Sequence, residues 1–208
     1  MTLLYIVFGW VLGLFSPIIV EHFRSRQQKK EFETSVRIEL KELQFRLAFN
    51  SLLLEMNYGR LTVEIIQWVT PILDDYEGDE SYDVVNRLLA IMRDGTQDVI
   101  DHILSQMRAA EGVGVSLKIY QPSYLVSNLA AIAKMSPDMQ QRFHEFFNHL
   151  SVLNQEIQKV EERQNMTFDA AMTEENHERL VDDIKSKYVF IAGESRRVAT
   201  KIEAIISR

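Results

Sequence analysis

The sequence predicts an all-α protein in which one N-terminal transmembrane helix continues into an antiparallel helical bundle that ends in a long helical hairpin. Three observations predict this fold class. Residues 1–20 carry no charged side chain. Apolar side chains then repeat at three- and four-residue spacing through most of the chain. Only 8 glycines and 4 prolines interrupt 208 residues. We therefore expect a membrane anchor at 1–20 and one cytosolic helical domain at 21–208.

The anchor prediction rests on length and composition. Twelve of the first 20 residues are Leu, Ile, Val or Phe, and about 20 helical residues match a hydrocarbon core roughly 30 Å thick. A cleaved signal peptide is the alternative, and it needs a basic start and a small-residue cleavage site. Neither is present, because only two residues precede the apolar run and Ser16-Pro17 leads into bulky Ile and Val residues. We expect the span to stay uncleaved.

Flanking charge predicts the orientation of this span. Nothing basic except the terminal amine precedes it, and a basic cluster that suits lipid headgroups follows it: Arg24, Arg26, Lys29 and Lys30. The positive-inside rule then places the N-terminus outside and residues 21–208 in the cytosol. The glycosylation sequon at residues 165–167 would carry no glycan on that side.

Small residues lie on one stripe of the predicted span. Gly9 and Gly13 form a G-x-x-x-G pair, and Ser16 lies about one turn further on. Such a stripe lets two transmembrane helices approach closely, so it predicts a self-association face. The alternative is a passive tether, because glycine is common in transmembrane helices.

The first half of the predicted domain consists of helices of unequal length. A long helix over 21–57 continues the span, with Asn50 as the single polar position on its apolar stripe. Helices over 60–109 surround an acidic loop at 74–83: one covers about 60–74 and is interrupted near Pro71, and one covers 82–109 and is loosened near Gly95. The acidic loop does not fit a calcium-binding register, since the position five residues before its glycine is a leucine.

The second half, residues 123–208, begins with a short helix over about 123–135 and ends in a hairpin over 137–208. Ser136 and Thr173 are predicted to cap its two helices. A heptad seam follows the first cap: Met139, Phe143, Phe146, Leu150, Leu153, Ile157 and Val160. An intermolecular coiled coil would use the same pattern. The short connections favour a bundle within one chain, with the long first helix and the 82–109 helix packed against the hairpin.

No catalytic, cofactor or metal site is predicted. The chain has no cysteine, which removes thiolate ligands and cysteine nucleophiles. His144 and His149 are five residues apart, so they point to different sides of a helix and do not form the zinc pair of a metalloprotease. Glu174 and His177 have the spacing of a di-iron ligand pair, but the sequence contains no second pair. No nucleotide-binding or hydrolase motif is present, and no small-molecule substrate is identified.

Charge is distributed unevenly along the chain. By formal count, residues 61–110 carry −7 and residues 111–184 carry −6, whereas residues 185–208 carry +4. No nucleic-acid partner is expected, because the acidic middle would repel phosphate.

The opening of the chain resembles uncharacterised bacterial single-pass membrane proteins. The resemblance is carried by a leucine-rich span with Trp10, Gly13 and Ser16-Pro17, followed by basic residues and a long helix, and it covers about the first 50 residues. It implies a bacterial inner membrane and carries no known activity.

The sequence therefore predicts a non-enzymatic, membrane-tethered helical protein. We expect it to act through a protein partner or through self-assembly as a homo-oligomer at the cytosolic face of a bacterial inner membrane. One alternative is an oligomerising effector that perturbs the membrane, as in bacterial defence systems. The other is an enzyme whose site is split across helices.

Overall fold

The computed structural model describes residues 2–57, 61–76, 89–90, 92–107, 115–168 and 172–207, without the side chains of 2–19, 106 and 107. All regular secondary structure in these ranges is helical, which confirms the all-α prediction. The helices are α1 (Thr2–Asn57), α2 (Val63–Asp74), α3 (Gln97–Met107), α4 (Ser123–Ser127), α5 (Leu129–Ile132), α6 (Pro137–Met166) and α7 (Glu174–Ile206).

Helix α1 is a single element of 56 residues. Residues 20–31, which we call the stalk, are exposed on all sides, and Phe32 is the first buried side chain described in α1. Among the described residues, no helix is both long enough and apolar enough to cross a membrane. The predicted span at 1–20 and its association face of Gly9, Gly13 and Ser16 depend on side chains of residues 1–19, which lie outside the described ones.

Helices α6 and α7 form the predicted hairpin. Both caps are confirmed: the Ser136 hydroxyl accepts a hydrogen bond from the backbone N–H of Met139, and the Thr173 hydroxyl accepts one from Asn176. Two ion pairs show that the helices run antiparallel. Arg163 pairs with Asp183 at 2.5 Å near the connection, and Glu145 pairs with Lys201 at 2.7 Å towards the other end.

The bundle forms because α1 also packs along α7 and shares one core with α6 and α7. The Ser51 hydroxyl donates to the carbonyl of Ala192 at 3.1 Å, and the Gln44 amide donates to the carbonyl of Ala199 at 3.3 Å. Six heptad residues are buried in the resulting core, namely Phe143, Phe146, Leu150, Leu153, Ile157 and Val160, and Met139 packs against it. The structure therefore places the seam inside one chain rather than between chains.

Residues 115–122, which lie outside any helix, complete this core. Tyr120 is bonded to Asn154 on α6 and accepts a hydrogen bond from Asn50 on α1. The hydroxyl of Tyr188 on α7 donates to the carbonyl of Val115 and accepts from its N–H. Asn50, the polar position on the apolar stripe of α1, thus contacts this segment.

A second apolar core lies on the outer side of α1, where α2 and α3 pack. It contains Phe45, Ala48, Leu52, Leu61, Ile66, Val69, Leu73, Leu89, Met92, Ile100 and Leu104. Trp68 packs against both cores. The expectation that the 82–109 region packs against the hairpin is therefore wrong for its described part, because that part packs with α2 against α1.

Two predicted helices differ from the prediction, and the loosening predicted near Gly95 is a full interruption. The predicted 82–109 helix is interrupted at residues 94–96, where a Cβ on Gly95 would lie 3.2 Å from Val99 Cγ1 and 3.3 Å from the Met92 carbonyl. Pro71 does not interrupt α2: it lies within the last turn, and its carbonyl still accepts a hydrogen bond from the N–H of Asp75 at 3.1 Å. The predicted 123–135 helix is two short helices that meet at Asn128. Residues 77–83 of the acidic loop lie outside the described ones.

Candidate interaction surface

An open groove with a volume of about 930 Å³ lies between α1, α2 and the C-terminal part of α7. It forms because α2 packs on α1 beside α7 and the space between α2 and α7 is not filled. We call it the groove, and its lining residues are Ile38, Lys41, Glu42, Gln44, Trp68, Pro71, Ile72, Asp75, Tyr76, Ala199, Thr200 and Glu203.

One wall of the groove is apolar and aromatic. Trp68 and Ile72 are half-buried on α2, and Ile38 on α1 leaves 67% of its surface exposed. Tyr76 stacks on the buried ring of Phe45, with centroids 3.8 Å apart and an interplanar angle of 15°. Exposed apolar side chains beside a fixed aromatic wall are typical of a surface that binds another molecule.

The rim of the groove is charged. Lys41 Nζ lies 2.6 Å from Asp75 Oδ2 and links α1 to the end of α2. The Tyr76 hydroxyl donates to Glu42 at 3.2 Å, and the same carboxylate pairs with Arg46 at 2.6 Å. These bonds fix the distance between α1 and α2 at the mouth of the groove.

The opposite side of the groove carries the carboxylate of Glu203. It accepts a hydrogen bond from the Gln44 amide at 2.9 Å and another from the Ser207 hydroxyl at 2.8 Å. The hydrogen bond from Gln44, followed by the one from Ser207, lowers the pKa of Glu203. The hydrogen bond and the charge of Lys41 likewise lower the pKa of Asp75.

These carboxylates define what the groove can do chemically. Three acids and one lysine line it, so its own side chains carry a net negative charge. Two of the acids, Asp75 and Glu203, have a lowered pKa, which makes them weak general bases at neutral pH. The groove therefore suits the binding of apolar groups and of hydrogen-bond donors better than it suits proton transfer.

Two buried acids on the bundle side hold helices together. Glu55, 5% exposed, accepts a bond from Arg196 at 3.0 Å across α1 and α7. Glu194, 3% exposed, lies 2.5 Å from Nδ1 of His149 and 3.1 Å from Arg197. Buried charges that lose their partners are costly, so these pairs favour one alignment of the helices.

The structure places the predicted site residues in different environments. The basic cluster of Arg24, Arg26, Lys29 and Lys30 is exposed on the stalk. The residues of the heptad seam lie in the core of the bundle, so they do not form an exposed contact surface. The structure therefore does not bring these two predicted groups together.

The metal-ligand pairs rejected from the sequence have other roles where they are described. Glu145 bonds to Lys201, whereas His149 bonds to Glu194. Glu174 and His177 are exposed in the first turn of α7. Within the described part of the chain, no group of three or more His, Cys, Asp or Glu residues is arranged to hold a metal ion.

The groove itself was not predicted from the sequence. One signal was present, because Ile38 is apolar but lies off the buried stripe of Val36, Leu40 and Leu43. Such a residue indicates a second contact face on a helix. The remaining groove residues come from three helices and are brought together only by tertiary packing.

Comparisons with protein-family models, with curated proteins and with solved structures give no match to this chain.

Proposed function

We propose that the chain is a membrane-tethered helical protein that acts through contact with a partner protein at the cytosolic face of a bacterial inner membrane. The observation that carries the proposal is the continuity of α1. One helix joins the uncharged residues 2–19 to the stalk and then to the core of the bundle. Such a helix would hold the bundle, and the groove on it, at the surface of the membrane.

The stalk supports the tether. None of residues 20–31 is buried, so this stretch contributes nothing to the core. Its four basic residues and the exposed Val20 and Phe23 suit the headgroup region of an anionic membrane. Residues 1–20 would then form the span, with the N-terminus outside.

The groove supports the protein-contact part of the proposal. It combines exposed apolar side chains with a charged rim, as interfaces between proteins do. The apolar part would supply affinity, and the paired charges would orient the partner.

Deletion variants test the tether. The described side chains of residues 20–23 are all exposed, so we expect removal of residues 1–23 to leave a folded helical domain that no longer sediments with membranes. Removing residues 1–47 is the matched control, because it also takes away Phe32, Val36, Leu40, Leu43 and Leu47 of the core. A 24–208 chain that still sediments with washed membranes would contradict the tether. An unfolded 24–208 chain would contradict the expectation that the bundle folds without the anchor.

The sequon tests the orientation. Asn165 is exposed near the end of α6, so a glycosylating enzyme would reach it on the luminal side of a microsome. We expect no glycan at Asn165 in translation with microsomes and full modification of a sequon added before Met1. The reverse pattern would contradict the N-out orientation.

Groove variants test the contact. We expect a partner that co-purifies with the full chain to be lost from Ile38→Glu and Thr200→Arg variants. Val152→Glu is the matched control, since Val152 is also exposed but lies on α6, away from the groove. Equal loss from all three variants, or from none, would argue against the groove as the contact surface.

A further inference from the structure

The end of the bundle that faces the stalk is covered by residues 123–135, which we call the cap. The carboxylate of Glu39 on α1 accepts hydrogen bonds from the backbone N–H groups of Tyr124 and Leu125, both at 2.8 Å. The ring of Tyr124 packs against Phe32, with centroids 6.2 Å apart. Because Phe32 is the first buried residue after the exposed stalk, the cap is the part of the bundle next to the stalk.

The surface of the cap is unlike the rest of the bundle. Residues 119–133 carry no charged side chain and are the longest uncharged stretch after residue 20. Leu125 and Ile132 are buried, whereas Tyr124, Val126 and Leu129 are 38%, 43% and 50% exposed. The next residue after the uncharged stretch is Lys134, which is exposed. Exposed apolar residues with a tyrosine and a lysine are typical of the membrane interface.

The geometry of α1 sets the distance between cap and membrane. Twelve residues separate Val20 from Phe32, a rise of about 18 Å. The headgroup zone extends only about 5–8 Å beyond the hydrocarbon, so an upright α1 would leave a gap. Transmembrane helices tilt by up to about 40°. At that tilt, a surface about 10 Å to the side of α1, the distance of a packed neighbour, would lie about 7 Å from the hydrocarbon.

We propose that α1 leaves the bilayer tilted towards the cap and that the cap rests on the lipid headgroups. This inference depends on the proposed membrane tether. Charge favours a lipid surface as the occupant of the cap. Anionic lipid would repel the acidic parts of the bundle but not the cap, in which Lys134 is the one charged residue. The bundle would then have one fixed orientation on the membrane.

Single-cysteine labelling of the full chain tests this contact, and the absence of native cysteines makes each label unique. Val126→Cys and Leu129→Cys report on the cap, and Val20→Cys reports on the tether. Val152→Cys is the matched control, because its exposure of 41% is close to that of the cap residues and it lies on α6. Each variant is spin-labelled, reconstituted in phosphatidylethanolamine–phosphatidylglycerol vesicles, and probed with oxygen and with a water-soluble nickel chelate.

We expect the oxygen-to-nickel accessibility ratio to be several-fold higher at 126 and 129 than at 152, and higher still at 20. We also expect Lys134→Glu to lower the ratio at 126 and 129 in these anionic vesicles. A high ratio at 20 with cap values equal to that of 152 would overturn the cap contact and leave the tether intact. A low ratio at 20 would overturn both, and cap labels shielded from both reagents would show a protein contact and overturn the lipid one.

Discussion

The side chain of Asn154 bonds to both backbone polar groups of Tyr120. The amide nitrogen of Asn154 donates to the Tyr120 carbonyl at 2.8 Å, and the Tyr120 N–H donates to the Asn154 side-chain oxygen at 2.9 Å. A carboxamide carries both a donor and an acceptor, so one side chain satisfies both polar groups of a residue that lies outside any helix. Since Tyr120 is 7% exposed, these groups have little access to water.

Asn154→Ala should therefore destabilise the bundle. Two backbone groups lose their partners in a buried place, which lowers the free energy of unfolding by about 2–3 kcal/mol. Asn148→Ala is the control, because Asn148 is exposed on the same helix and its amide contacts only the neighbouring turn at His144. Urea denaturation followed by circular dichroism measures both, and equal midpoint shifts would contradict the role of Asn154.

Phe146→Ala should be among the most damaging single changes in the hairpin. Phe146 is fully buried in the main core, and removal of a buried phenylalanine costs about 3–5 kcal/mol. Val152→Ala on the same helix should change the unfolding free energy by less than about 0.5 kcal/mol, because Val152 is exposed. We also expect the unfolding midpoint of both variants to be independent of protein concentration; a dependence would point to a seam between chains.

Acid should weaken the hairpin partly through Glu156. Hydrogen bonds from Lys159 and Lys187 lower the pKa of this carboxyl below its ordinary value of 4.5. The folded state thus binds a proton less readily than the unfolded state. The stabilisation is complete above about pH 4.5 and is lost as the pH falls from there through the lower folded-state pKa.

Glu156→Gln should then be less stable than the wild type at neutral pH and should lose less stability below pH 4.5. The measurement is the urea midpoint between pH 3 and pH 7. Glu161→Gln serves as control, because Glu161 is exposed on the same helix and has no ion pair in the described part of the chain. A Glu156→Gln curve parallel to that of the wild type would contradict the prediction.

Glu39→Ala should loosen the cap without unfolding the bundle. A hydrogen bond to a charged group is worth about 1.5 kcal/mol or more, and about 1.4 kcal/mol corresponds to a factor of ten. We expect the amides of Tyr124 and Leu125 to exchange hydrogen at least about tenfold faster. Glu33→Ala is the comparison, since Glu33 is exposed on α1 and pairs with Lys29 at 3.8 Å; similar exchange in both variants would speak against capping by Glu39.

Local chemistry explains which parts of the fold the sequence predicted. Ser136 and Thr173 cap their helices because the hydroxyl and the first turn are adjacent in the chain. The heptad residues are buried because their spacing alone puts them on one face. These features need no knowledge of distant residues.

The features that were missed depend on distant residues. The segment at 115–122 is held by partners such as Asn50, 70 positions from Tyr120, and carries no periodic pattern. The sequence predicted only a loosening near Gly95, whereas the helix is fully interrupted at 94–96. Just after this interruption, the side-chain amide of Gln97 donates to the distant carbonyl of Leu61 at 3.1 Å. The groove is a gap between three helices, and a gap has no sequence pattern of its own.

Because α1 is one continuous helix, the number of residues in the stalk determines which side of the bundle faces a given direction at the membrane. Adding one residue to the stalk would turn everything beyond it by about 100° and raise it by about 1.5 Å. Adding seven would restore the facing to within about 20° but lengthen the stalk by about 10 Å. Insertions of different length thus change the rotation and the height of the bundle in different proportions. Comparing them would show whether the groove and the cap require a fixed rotation about α1, a fixed height above the membrane, or both.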